Sequence, residues 1–257
     1  MSREVKAKEI GTFLLSLENN PVFSLFCNKV YGHDLSQMNR MDKPQFNKLL
    51  EQLHLTENDR VLDLGCGLGK ITEEISDITQ AKLTGVDFAT DAIISAQKRT
   101  KRKRNRLNFI EADINNLTFP LKSFTSVIAI DSLYGDFIDD LNDIINKLVK
   151  FLKPHGQMGI LHTEYSLDKS DLSPQTTEVA LALTKSDLSY NIWEFTENEQ
   201  LLLQRKLSVA SDLEDKFQST NQHQLYERIV KHSEKLLSRI KKGQSRRFFY
   251  YVKLKPK

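Results

Sequence analysis

Val61-Leu62-Asp63-Leu64-Gly65-Cys66-Gly67-Leu68-Gly69-Lys70 decides the architecture of this 257-residue chain. Its first four residues form an apolar run interrupted by one acid, which predicts a buried strand. Three glycines at every second position follow, and a helical pattern opens at Lys70. Glycines at a strand-to-helix turn let the backbone bend sharply and approach a ligand, while free N–H groups at the helix start favour an anionic group. A dinucleotide-binding turn uses the same physics, so the spacing has to discriminate. Here it reads G-x-G-x-G, with Lys70 where the third glycine of G-x-G-x-x-G would stand.

Outward from this turn, strand and helix signals alternate. Strand-like runs cover 61–64, 82–87, 107–111, 126–130 and 157–162, and helical patterns cover 70–79, 90–103 and 137–151. The last helix is the clearest, with Ile138, Leu141, Ile144, Ile145, Leu148, Val149 and Leu152 at three- and four-residue steps before the stop at Lys153-Pro154-His155-Gly156. This alternation predicts right-handed crossovers and a parallel sheet covered on both faces. The first 55 residues read as a helical cap, with an apolar stripe of Phe13, Leu14 and Leu17, breaks at Pro21 and Gly32, and a helix over 43–53. After His162 come a polar connection over 165–173, a short helix over 176–186, a strand over 191–195, two or more helices over 197–240 and a final aromatic strand over 246–254. A late strand pair predicts an antiparallel edge, with the helices between those strands lying across the top of the sheet. The expected organisation is one domain over 1–257: cap 1–55, core 56–164, helical lid or substrate region 165–245 and final strand 246–257.

Composition bounds the partners. Hydrophobic residues make up 39% and charged residues 28%, ordinary for a globular protein. No apolar stretch approaches the roughly 20 residues that cross a bilayer, and no secretory signal is visible. Cys27 and Cys66 are the only cysteines, too few for a disulfide framework and poorly placed for a metal site. The expectations are a cytoplasmic location, no metal and no membrane span. The net charge of +3 argues weakly for nucleic acid, although seven of the nine residues in 98–106 (KRTKRKRNR) are basic. That run is either a phosphate-binding patch or a helix end whose cations complement the helix dipole. No aromatic residue within it offers a base-stacking surface.

With Asp63 inside the strand end, the G-x-G-x-G turn resembles motif I of the class I S-adenosylmethionine-dependent methyltransferases. Later stretches resemble that family in order. Asp87, eighteen positions past Gly69, ends the second strand, Glu111-Ala112-Asp113-Ile114 follows the third, Asp131-Ser132 ends the fourth and Lys153-Pro154-His155-Gly156-Gln157 precedes the fifth. The resemblance covers about 60–162 plus the terminal strand. It implies a Rossmann-like α/β fold with a mostly parallel seven-stranded sheet and an antiparallel last strand. It also implies a cofactor site formed by Asp63, Gly65, Cys66, Gly67, Gly69, Asp87, Phe88, Asp113, Ile114 and Asp131. In that site Asp87 accepts from the ribose hydroxyls, Asp113 takes the adenine amino group and the Ile114 N–H meets a ring nitrogen. Asp63 organises the loop or meets the cofactor's amino group. Tyr31, His33 and Gln37 lie in a segment that in this family closes over the cofactor.

The implied reaction is an in-line methyl transfer to nitrogen, oxygen or carbon, releasing S-adenosylhomocysteine. Tyr134, His162, Glu164 and Trp193 are the substrate-side candidates by position, and no general base is assigned. Asp131-Ser132-Leu133-Tyr134 departs from the [DNS]-P-P-[YFW] signature of enzymes that methylate nucleic-acid bases. That departure favours the small-molecule, UbiE-like branch, with a small-molecule substrate and a monomer or homodimer. RNA or protein as acceptor through 98–106, a non-catalytic cofactor-binding protein, and an NAD-type oxidoreductase stay open as alternatives.

Overall fold

A computed structural model describes residues 3–135, 137–166 and 172–255. The strands are β1 (Arg60–Leu64), β2 (Lys82–Asp87), β3 (Leu107–Glu111), β4 (Phe124–Ile130), β5 (Leu152–Tyr165), β6 (Tyr190–Glu194) and β7 (Ser245–Lys253). They form a single sheet in the order β3-β2-β1-β4-β5-β7-β6. The first five strands pair in parallel, and β7 runs antiparallel to both β5 and β6. This is the mostly parallel sheet that the alternating pattern predicts, in the Rossmann-like arrangement that the resemblance implies, and the antiparallel edge is present.

Helices α1 (Arg3–Leu17), α2 (Pro21–Tyr31) and α3 (Lys43–Leu53) precede the sheet. Helices α4 (Lys70–Thr79), α5 (Thr90–Arg99) and α6 (Leu141–Phe151) join the parallel strands, and α7 (Glu178–Lys185), α8 (Thr196–Asp212), α9 (Glu214–Ser219) and α10 (His223–Lys241) lie within the C-terminal third. Pro21, expected to break the chain, instead starts α2: Asn20 caps it by accepting from Phe23 N–H, and a first-turn proline forfeits no hydrogen bond. Gly32 ends that helix in the left-handed region, as a stop should. The fifth strand is longer than the expected 157–162. It begins at Leu152, and the Lys153–Gly156 stretch is absorbed as an irregularity between the Phe124–Leu152 and Ser126–Gln157 pairings. The polar connection expected over 165–173 lies partly outside the described residues.

Successive strand residues face opposite sides, so each face has its own core. Leu62, Leu64, Val127 and Ala129 pack with Ile144, Ile145 and Leu148 of α6 and with α7. Val61, Ile128, Ile130 and Leu161 pack with Leu49 and Leu53 of α3, Ile75 of α4 and Ile93 of α5. A separate cluster joins Phe23, Phe26 and Val30 of α2 to Phe217, Leu225 and Ile229 of α9 and α10. The N-terminal and C-terminal cap helices thus share one small core. Among the described residues, no helix is long and apolar enough to cross a membrane.

Candidate active site

At the carboxyl end of β1, Gly65 and Cys66 both donate backbone N–H bonds to the Val86 carbonyl of β2, at 2.8 and 3.0 Å. This clamp reverses the chain, and Gly65, Gly67 and Gly69 all take positive φ values. Gly69 is the strictest requirement, because φ is +67° and a Cβ there would overlap the Phe109 ring. Asp87, ending β2, faces the turn. One carboxylate oxygen accepts from Gly67 N–H at 2.8 Å and the other from Ala89 N–H at 2.9 Å. Burial pushes the Asp87 carboxyl above its usual range against the pull of those two bonds. Asp63 is buried beneath the turn and accepts from Thr72 Oγ1 at 2.5 Å. Burial lifts it to about 7, the Thr72 bond opposing and Asp87 assisting.

Two cavities open here. One, of about 760 Å³, is walled by Phe88, Ala112, Ile114 and Phe137, with Asp87 and Asp113 among its acids and α1 along one side. Asp113 serves two structural roles. Its Oδ1 accepts from Asn115 N–H at 2.9 Å, starting the 3-10 turn Ile114–Asn116, and its Oδ2 accepts from Arg3 of α1 at 3.1 Å. The other cavity, of about 460 Å³, is lined by the glycine turn, the 35–40 segment, Tyr134, and Arg228 and His232 of α10. Gly65, Asp87, Asp131 and Phe137 line both, so the cavities meet at the glycine turn.

The structure places Asp63, Gly65, Cys66, Gly67, Gly69, Asp87, Phe88, Asp113, Ile114, Asp131, Gln37 and Tyr134 on these walls. Burial holds the Cys66 thiol well above its usual pKa, the form least suited to a nucleophile. Tyr31 and His33 line neither cavity; Tyr31 is buried and donates to the Asn39 carbonyl at 3.1 Å. Three of the four substrate-side candidates are also displaced. His162 lies buried behind Tyr134, with ring centroids 4.5 Å apart, and burial brings its pKa down to about 3. Glu164 accepts from Val179 N–H at 3.2 Å, and burial raises it to about 7. Trp193 stacks on Phe249 at 5.5 Å and packs against the core face that α3 covers. Each points where the pleat sends it, into a core face rather than toward the strand ends.

Sequence reasoning named Asp131 but missed the two arginines, Arg40 and Arg247, that hold it at the cavity floor. Asp131, at φ +53°, accepts from Arg247 Nη1 at 2.7 Å and Nη2 at 3.1 Å, from Arg40 N–H at 3.0 Å and from the Tyr134 hydroxyl at 2.8 Å. The Arg40 guanidinium donates to the Tyr134 and Tyr165 hydroxyls and lies 3.4 Å from Glu199. Burial opposes ionisation of Asp131, yet the Arg247 and Arg40 charges outweigh it and hold the carboxyl far below its usual range. The Tyr134 phenol is pushed well above its usual value by burial and by Asp131. An arginine inside the aromatic run of the last strand was the available signal for Arg247. Arg40, in an irregular segment, left none. Among the described residues, no cluster of three or more metal-binding side chains occurs.

Residues 61–156, which span the glycine turn, Asp87, Asp113 and Asp131, match the family of methyltransferase domains. That stretch is similar to a methyltransferase domain. It is 26% identical over 151 residues to the sterol 24-C-methyltransferase erg6 of Aspergillus fumigatus, which covers 58% of this chain and 40% of that protein. It is 30% identical over 118 residues to the phosphoethanolamine N-methyltransferase of Plasmodium falciparum, covering 46% and 43% respectively. The matched stretch therefore spans about two fifths of the length of these curated relatives. A solved structure of Haemonchus contortus phosphoethanolamine N-methyltransferase 2, bound to phosphomonomethylethanolamine and S-adenosylhomocysteine, has the same fold. Its TM-score is 0.74 at 18% identity, over 96% of this chain and 60% of that one. The matched stretch ends at residue 156, before α7, so Arg228, His232 and Arg247 lie outside it.

Proposed function

We propose that the protein transfers the methyl group of S-adenosylmethionine to a small-molecule nucleophile. One observation carries the reading: the glycine turn and Asp87 stand where an aromatic-walled cavity meets a polar one. Both volumes fall in the range of about 300–1,000 Å³ typical of small-ligand sites. The residues present fit the cofactor. The Asp87 carboxylate keeps acceptor capacity beyond its backbone bonds for ribose hydroxyls. Phe88, Ala112, Ile114 and Phe137 offer apolar walls for a flat base, with Asp113 at the rim. At Gly67 a Cβ would meet only Leu14 Cδ1 at 3.7 Å, so the turn leaves room above it.

When bound, the cofactor supplies a methyl group already activated on a sulfonium. What this chain's residues then contribute is alignment and exclusion of water. Tyr134, fixed between Asp131 and Arg40, presents a protonated phenol as a rigid wall. Asp131 is committed to two guanidiniums and holds no proton to exchange. The names of the curated relatives, a sterol and a phosphoethanolamine methyltransferase, support a small-molecule acceptor.

The test is release of S-adenosylhomocysteine from S-adenosylmethionine with three acceptor pools: small metabolites, total RNA and total protein. Turnover with metabolites alone is the expected result. Turnover with RNA or protein alone overturns the acceptor class, and silence in all three with intact cofactor binding overturns the enzymatic reading.

A further inference from the structure

The polar cavity carries a cationic corner that methyl transfer itself does not require. Arg228 and His232 sit one turn apart on α10, and both line the cavity. The Arg228 guanidinium lies 3.7 Å from the centroid of the Phe13 ring of α1, and no described ion pair links it to a carboxylate. Lys70, on the same cavity wall, donates to Ser36 Oγ at 2.6 Å. The acids lining the cavity are already engaged: Asp131 by two arginines, Asp63 by Thr72 and Asp87 by the glycine turn. Surrounding protein and then the charges of Arg40, Lys206, Arg228 and Lys235 bring His232 down to about 4. Among the described residues neither Arg228 nor Lys70 is paired with a carboxylate, so this wall of the cavity carries positive charge that an anionic ligand would offset.

We propose that Arg228 and His232 seat a carboxylate or phosphate group of the methyl acceptor. The proposal rests on the cofactor reading above, because it treats this cavity as the acceptor's side of a methyltransferase site. An arginine fork suits either oxyanion through paired N–H donors. His232 adds a second donor when the anion restores its proton. The cofactor's own carboxylate is the other source of such chemistry. The N-terminus of α4, whose cap Gly69 offers no side chain, already provides N–H donors for it. That leaves the α10 pair for the acceptor.

The experiment follows the His232 ring signals by NMR, assigned through His232→Asn, while inorganic phosphate is titrated at constant ionic strength. Titrations run with and without S-adenosylhomocysteine, whose affinity is measured separately by calorimetry in the wild type, Arg228→Gln and His232→Asn. The expected result is a saturable shift, a His232 pKa at least one unit higher with phosphate, and phosphate affinity at least tenfold weaker in Arg228→Gln. The affinity for S-adenosylhomocysteine should stay within twofold in both variants. No saturable response to phosphate overturns the proposal. So does a tenfold loss of S-adenosylhomocysteine affinity in Arg228→Gln, which assigns the pair to the cofactor's carboxylate. Failure of the wild type to bind S-adenosylhomocysteine removes the cofactor reading, while the phosphate response still decides whether an anion site exists.

Discussion

Arg247, on the last strand, grips both carboxylate oxygens of Asp131, at the end of the fourth, at 2.7 and 3.1 Å. The arginine side chain is wholly buried and the aspartate 8% exposed. The pair fastens the floor of the cavity to the antiparallel side of the sheet, because β7 reaches β4 only across β5.

Removing one member of a buried pair strands the other charge. Arg247→Met is expected to destabilise the fold by about 3–5 kcal/mol in urea unfolding. Adding Asp131→Asn, which tolerates the positive φ, should recover part of that loss. A single-variant loss below about 1 kcal/mol would mean the pair contributes little beyond packing.

Asp87→Ala removes a carboxylate placed between the two cavities. Hydrogen bonds to charged groups contribute about 1.5–3 kcal/mol. Calorimetry should therefore show S-adenosylhomocysteine binding roughly tenfold to a hundredfold weaker. Unchanged affinity would place the cofactor elsewhere.

Gly67→Ala and Gly69→Ala separate strain from overlap. Both positions have positive φ, which costs a non-glycine residue about 1–2 kcal/mol. Only at Gly69 does the added carbon also run into the Phe109 ring. Gly69→Ala should be clearly the less stable by denaturant unfolding, and equal losses would contradict this geometry.

Two buried groups should leave opposite signatures in stability against pH. Asp63, lifted to about 7 from an ordinary value near 4, keeps a proton in the folded state that the unfolded chain has released between those values. Stability therefore falls as pH rises from about 4 to 7, and the advantage of Asp63→Asn over the wild type should grow across that window and then level off. His162, brought down to about 3 from near 6.5, refuses a proton that the unfolded chain accepts. Stability falls as pH drops through that range, so the advantage of His162→Phe should grow toward acid. Urea unfolding from pH 4 to 8 checks both profiles. Flat differences would show that neither group is buried in its charge-sensitive form.

The basic run divides into two sets. Arg99 meets Glu18 and Glu73, Lys103 meets Glu73 and Asp77, and Arg106 meets Asp77. Lys98, Lys101, Arg102 and Arg104 are exposed. Changing those four to glutamine should alter stability by no more than about 0.5 kcal/mol and leave methyl transfer to metabolites unchanged. Loss of turnover in that variant would promote the run to an acceptor-binding surface.

The sequence by itself determined the sheet and the turn. Period-two and period-3.6 patterns are local, and the run from Val61 to Lys70 states its strand, its positive-φ positions and its helix start without reference to any distant residue. The acids at the strand ends followed, because in a parallel sheet the ends of β1, β2 and β4 are brought level by register. Only the tertiary structure decided which neighbouring side chains reach the cavity. His162, Glu164 and Trp193 occupy strand positions whose direction depends on which face each strand turns to the core. Arg40, Arg228, His232 and Arg247 come together from segments up to 207 positions apart. No local pattern encodes such a meeting; it is fixed by long-range packing of the cap helices and by the antiparallel pairing of β7.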